Sequence, residues 1–217
     1  TGINSEHGKN LVGAFHSPVA VLIDISFTHS LSERDFAAGM AEVVKCGFIA
    51  DTQILTLLKG KNIAEASGDQ DLLLELIHRS VSVKAKVVSE DFKESFLREI
   101  LNYGHTLGHA IEKHSNYSLR HGEAVAIGMC FVAELAREKS SLSENVVSLH
   151  NEFLKSLNLP TNYKLAAWPQ LQELMLQDKK NRGGALRFVA LEDLGKCVRI
   201  EAPKSEELER AYARIAQ

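Results

Sequence analysis

Residues 94–112, ESFLREILNYGHTLGHAIE, carry a pattern that few structures can satisfy. Placed on a helix at about 100° per residue, Glu94, Arg98, Asn102, His105 and His109 fall at roughly −40°, 0°, +40°, −20° and +20°. Phe96, Ile100, Tyr103, Leu107 and Ile111 take the opposite side. The spacing predicts one amphipathic helix with a dense polar stripe facing a full apolar one. A solvated face is the plain alternative. Solvated faces are usually built from Lys and Glu, however, and rarely gather two histidines and an asparagine. The stripe reads as a site carried on a rigid element.

The rest of the chain predicts a mainly helical domain with a few short strands. Val19-Ala20-Val21-Leu22-Ile23, between Pro18 and Asp24, reads as a short buried strand. Residues 1–18 read as mostly loop, punctuated by Gly2, Gly8, Gly13 and Pro18, and Phe27 to Leu31 as another loop. Ser32 with Asp35 three residues on is an approximate capping box, opening a helix to about Ala50. Further helices are expected over 51–58, 69–89, 122–140, 144–157, 169–180 and 205–216. Two strands, 186–191 and 197–200, flank a turn at Leu194-Gly195-Lys196, and residues 181–184 read as a turn. The segment 122–140 is apolar on most sides, as the buried centre of a helical bundle would be.

Composition narrows the function. With 25 basic and 28 acidic residues and no basic run, the chain offers no nucleic-acid surface. No stretch of about 18 apolar residues occurs, so no membrane span is expected. Cys46, Cys130 and Cys197, odd in number and widely spaced, fit a reducing, cytoplasmic compartment rather than a disulfide framework. The opening Thr1-Gly2-Ile3-Asn4 is neither a signal peptide nor a typical start, and reads as part of a longer chain.

A carboxylate and two imidazoles on different helices can form a three-donor divalent metal site with an open position. Glu42, His105 and His121 are the candidates. His105 and His109 are four apart but lack the Glu of HExxH, which argues against a metalloprotease. Lys45, Lys84, Arg98, Asn102 and, farther off in sequence, Lys9 and Lys180 would suit an anionic substrate such as a phosphate or carboxylate. Each lysine alone could equally be a surface ammonium, and Glu42 a simple partner of Lys45. No GxGxxG or Walker loop is present.

The stretches GMAEVVK (39–45), LNYGHTLGHAIE (101–112) and HGEAVAIGM (121–129) resemble the 3-dehydroquinate synthase family. So do Thr1-Gly2-Ile3-Asn4 with Gly8-Lys9-Asn10, Lys84 to Val88, and Asp178 to Asn181. The resemblance implies a two-domain enzyme of which this chain is the C-terminal half. Residues 1–31 would be the interdomain loop and strand segment, and 32–217 the helical metal- and substrate-binding domain. The Rossmann-like, NAD-binding N-terminal half is absent from this chain.

By that resemblance Glu42, His105 and His121 would hold zinc or cobalt. His109, Glu94 and Lys45 would be catalytic, with His109 and Glu94 as the proton-handling pair. Asn10, Lys84, Arg98, Asn102 and Lys180 would bind substrate. Lys9 and the Phe27-Thr28-His29-Ser30 loop would form an edge lent to NAD. Leu31-Ser32 departs from the family's usual Leu-Pro. The implied reaction cyclises 3-deoxy-D-arabino-heptulosonate 7-phosphate to 3-dehydroquinate with loss of phosphate, in the shikimate pathway, and a homodimer is implied. Three alternatives remain: another sugar phosphate cyclase of the inosose or valiolone type, a metal-dependent alcohol dehydrogenase, or a catalytically incomplete isolated domain.

Overall fold

The computed structural model describes residues 3–5, 8–14, 16, 19–90, 96–140, 142–181 and 186–217. One helix organises it. α7 (His121–Lys139) is buried along most of its length. An apolar sequence on every side requires cover on every side. α1 (Glu33–Ile49), α6 (His105–His114), α8 (Glu144–Ser156), α10 (Ser205–Ile215) and strand β3 (Arg187–Asp193) supply it. Around α7, Phe131 meets the rings of Phe188, Trp168 and Tyr212, and Trp168 stacks on Tyr212 at 4.7 Å.

Apart from the stripe, the predicted helices appear close to their expected bounds, and two of them have a clear local start. The Ser32 side chain accepts the Asp35 amide and starts α1. Ser143 does the same for α8 through Val146. α2 (Gln53–Leu58) and α4 (Gln70–Glu90) pack on α1, and α9 (Trp168–Asn181) packs on α6. β3 pairs antiparallel with β4 (Lys196–Glu201), Phe188 opposite Ile200, and the Gly195 amide at its turn donates to the Phe48 carbonyl of α1.

Several expectations need correction. Residues 3–12 are not loop throughout: β1 (Ile3–Ser5) pairs antiparallel with β2 (Gly8–Val12). Gly and Asn depress strand propensity, but backbone pairing overrides it. Val19–Ile23 is not a buried strand. It lacks strand pairing among the described residues, and Val19, Val21, Leu22 and Ile23 are all exposed. A strand apolar on both faces needs a sheet and two covering layers, and the described residues supply neither. The Phe27 segment is not irregular: Ile25–Ser30 is a 3₁₀ helix started by Asp24. A short helix, α3 (Ile63–Gly68), was not foreseen, although Asn62 and Glu65 close a full capping box there. Of the turn expected at 181–184, Asn181 ends α9 and the remainder lies outside the described residues.

The largest correction concerns the polar stripe. Residues 96–114 do not form one helix. α5 (Phe96–Glu99) passes into a 3₁₀ turn (Ile100–Asn102), the chain breaks at Tyr103 and Gly104, and α6 begins at His105. Gly104 sits at φ +78°, the left-handed region, and a Cβ on it would stand 2.8 Å from the Val125 carbonyl oxygen. Contact with α7 therefore both permits and demands the break.

Candidate metal centre

α1, α6 and α7 meet so that Glu42, His105 and His121 converge. Their donor atoms lie within 4.8 Å of one another. Glu42 Oε1 is 3.7 Å from His105 Nε2 and 3.9 Å from His121 Nε2. Each group has its other polar atom engaged elsewhere. Glu42 Oε2 accepts from Lys45 Nζ at 2.7 Å, and the same ammonium donates to the Leu101 carbonyl at 2.8 Å. His105 Nδ1 is 3.1 Å from the Tyr103 carbonyl oxygen, and His121 Nδ1 is 3.1 Å from Glu112 Oε2.

Those acceptors assign the protons. A carbonyl and a carboxylate only accept, so both Nδ1 atoms donate, and a neutral ring so held presents its lone pair at Nε2. Burial, with the Lys45 ammonium nearby, pushes His105 down to about 3, so its ring is neutral near pH 7. Burial pulls the Glu42 carboxyl upward, but the Lys45 ammonium, by its charge and its hydrogen bond, holds it below the ordinary value. Glu42 Oε1 is buried and has no hydrogen-bond partner among the described residues. Two imidazole lone pairs and an orphaned carboxylate oxygen facing one another are electrostatically unfavourable unless a cation lies between them. The donor set therefore fits a divalent metal of the zinc class.

The other candidates take varied places. His109 is exposed, and its ring centroid is 5.3 Å from that of His105 and 5.8 Å from that of His121, so it flanks the donors. With Glu112 and His121 it makes a second possible donor set. Lys45 is not open to solvent: its side chain is 3% exposed, behind Glu42. Arg98 and Asn102 are exposed on the segment before the Gly104 break, and Lys84 is exposed on α4. The Lys84 charge reaches the Cys46 thiol, which burial pushes up to about 11. Glu94 lies outside the described residues. Lys9 and Asn10 are on β2 and Lys180 is near the end of α9, but their side chains lie outside the described set. Phe27 is exposed, the Thr28 and Ser30 hydroxyls donate to the Ile25 and Phe27 carbonyls, and His29 is 3.2 Å from the Gln70 amide nitrogen. None of those four joins a donor set.

Two contributors were missed. Glu112 is buried against His121, although it follows His105 by seven residues and His109 by three, one helical face. Glu123 caps α7 through the Arg120 amide and takes Arg34 of α1 in a two-pronged pair. That clamp holds the starts of α1 and α7 together, two residues from His121.

Fold and geometry thus define a class: a helical domain whose central helix and two neighbours turn a Glu–His–His donor set toward a common point. Sequence comparison carries this further. Residues 39–181 match the family described as 3-dehydroquinate synthase C-terminal, and residues 1–38 the one described as 3-dehydroquinate synthase N-terminal. The chain belongs to the 3-dehydroquinate synthase family. It is 53% identical over 216 residues to a Corynebacterium diphtheriae 3-dehydroquinate synthase and 52% identical over 217 residues to one from Mycolicibacterium vanbaalenii. It spans all of its own length in both matches but 60% of theirs.

Solved structures share the fold. ValA, a 2-epi-5-epi-valiolone synthase from Streptomyces hygroscopicus with NAD+ and Zn2+ bound, superposes with a TM-score of 0.89 at 24% identity, over 99% of this chain and 60% of that one. A 2-deoxy-scyllo-inosose synthase complexed with carbaglucose-6-phosphate, NAD+ and Co2+ superposes with a TM-score of 0.77 at 26% identity, over 98% and 61%.

Proposed function

We propose that this chain is the metal- and substrate-binding half of a 3-dehydroquinate synthase. The reaction is cyclisation of 3-deoxy-D-arabino-heptulosonate 7-phosphate to 3-dehydroquinate with release of phosphate, in the shikimate pathway. The observation that carries the reading is the orphaned Glu42 Oε1 facing the Nε2 atoms of His105 and His121. Identity above 50% with curated 3-dehydroquinate synthases favours this cyclase over the inosose and valiolone types, which share the fold at about half that identity.

The chain's own residues divide the work as follows. Glu42, His105 and His121 hold the cation, and Lys45 fixes Glu42 so that Oε1 points inward. His109 and Glu94 move protons at the substrate. Asn10, Lys84, Arg98, Asn102 and Lys180 bind its phosphate and carboxylate, and Lys9 with Phe27, Thr28, His29 and Ser30 forms the edge toward NAD. Bound there, zinc or cobalt supplies Lewis-acid polarisation of a substrate oxygen, and NAD supplies transient oxidation of a ring alcohol. Holding the substrate's phosphate where it can itself remove the neighbouring acidified C–H proton makes positioning the main contribution of these cations. The NAD assignment is supported by the family and by the cofactor-bound neighbours. A partner half carrying the Rossmann-like domain, a homodimer and a cytoplasmic location complete the reading. The last is supported by the free thiols Cys46, Cys130 and Cys197.

The test supplies the missing part in trans. The N-terminal segment of the C. diphtheriae relative is mixed with the zinc-loaded chain and NAD, and phosphate release is followed. The expected result is stoichiometric phosphate and 3-dehydroquinate, lost with Glu42→Ala. A folded, zinc- and NAD-loaded assembly that releases no phosphate would overturn the reading.

A further inference from the structure

Behind His121 stands a carboxylate to which no role has been attached. Glu112 Oε2 is 3.1 Å from His121 Nδ1. The Glu112 side chain is 6% exposed, against 37% for His121. A buried carboxylate is costly unless its acceptors are used, and here one is spent on an imidazole N–H. We propose that Glu112 is a positioning residue that fixes the tautomer and ring direction of His121, so that Nε2 is presented beside Glu42 and His105. The inference rests on reading those three as the metal donors.

The geometry favours support over direct ligation. If His109, Glu112 and His121 were the donors instead, His121 would turn Nδ1 to the cation, and the orphan Glu42 Oε1 would be left unexplained. In the proposed arrangement every donor has its own backing: Lys45 for Glu42, the Tyr103 carbonyl for His105, and Glu112 for His121. A carboxylate accepting from the far nitrogen of a ligating histidine raises its basicity and removes its rotational freedom. α6 also gains a double duty. It contributes one donor at its first residue and the brace for another two turns later, so closure of α6 on α7 assembles both together.

The test measures zinc affinity of the purified chain by chelator competition for wild type, Glu112→Gln, Glu112→Ala, Glu42→Ala and His109→Ala. Loss of an outer partner weakens metal binding roughly 10–100-fold. Glu112→Ala is expected in that range. Glu112→Gln, which keeps the shape and an acceptor but not the charge, should lose less, His109→Ala little, and Glu42→Ala nearly all. In the metal-free chain, imidazole ¹⁵N shifts should show His121 as the Nδ1–H tautomer in wild type and as a mixture in Glu112→Ala. This readout needs no metal and separates positioning from bulk stability, while Glu112→Gln covers the case in which the alanine variant does not fold.

Zinc retained by Glu42→Ala but lost from Glu112→Gln and His109→Ala would make Glu112 a direct ligand and overturn the proposal. Wild-type affinity and an unchanged tautomer in both Glu112 variants would overturn it while leaving the metal reading intact. A wild-type chain without affinity for zinc would overturn both.

Discussion

A Cβ placed on Gly122 would stand 1.9 Å from the carbonyl oxygen of Ala38. Backbone of α7 and backbone of α1 are in direct contact there, one residue from His121 and four from Glu42. Gly122→Ala must therefore push two donor-bearing helices apart. Forcing a methyl into a packed backbone contact costs about 3 kcal/mol, and the melting temperature of a chain this size falls by roughly 2–4 °C per kcal/mol. Calorimetry should show that drop, and the same variant should bind zinc more weakly. A variant with unchanged melting temperature and affinity would show that the two helices can separate without strain.

Metal removal should itself destabilise the fold. With the donors facing one another, the empty site carries an unrelieved carboxylate oxygen, and a cation that binds only the folded state adds stability by mass action. At a hundredfold excess over the dissociation constant this amounts to about 2.7 kcal/mol. Thermal unfolding with zinc and with a chelator should differ accordingly in wild type, and the difference should vanish in Glu42→Ala. Identical curves in wild type would contradict the donor assignment.

Much of this arrangement could be read from the residues alone, and the failures have physical causes. A cap written in local chemistry, such as Ser32 with Asp35, is a local event and is legible in the sequence. His105 and His121 could be named because imidazoles are sparse on ordinary helix faces, whereas Glu42, a common residue there, could be named only as the carboxylate to go with them. The break at Gly104 is masked because both stripes keep the spacing of a helix across it, although glycine itself is a poor helix former. What interrupts it is the approach of Val125 and Met129 from another element. Glu112 was passed over because a Glu near a helix end reads as solvated until its burial is known. Val19–Ile23 misled in the opposite sense: an apolar run states a preference for burial, and cannot state whether the described fold supplies the cover.

The buried His150 predicts an acid limit to stability. Its ring stacks on Phe48 at 3.8 Å, and its Nδ1 donates to the Val146 carbonyl at 2.7 Å. Nε2 therefore accepts the Tyr103 hydroxyl at 2.8 Å. Burial pushes its pKa down from 6.5 to about 4. Between those values the unfolded chain binds a proton that the folded chain refuses. Stability is thus complete above pH 6.5 and falls as pH drops toward 4, by up to about 1.4 kcal/mol per unit. His105, held down to about 3, adds a second proton in the same sense. Urea unfolding in chelator from pH 7 to pH 4 should show the decline. His150→Gln should remove about half of the slope at the cost of lower overall stability. A slope equal to that of wild type would exclude His150 as its source.

Lys45 offers a test of what a buried ammonium does beside a carboxylate. Its side chain is 3% exposed and its Nζ serves Glu42 Oε2 and the Leu101 carbonyl together. Lys45→Met keeps the length and removes both bonds. Breaking a buried pair from one side costs about 3–5 kcal/mol. Glu42 is 42% exposed and can recover water, which places this case at or below the lower end. Zinc affinity should fall as well, because Glu42 is no longer held with Oε1 inward, and added zinc should restore part of the lost stability by replacing the missing positive charge. Glu42→Gln combined with Lys45→Met should cost less than the sum of the two single variants, since each single change already dissolves the same contact. Additive losses would mean that Lys45 contributes through the Leu101 carbonyl alone and leaves Glu42 unoriented.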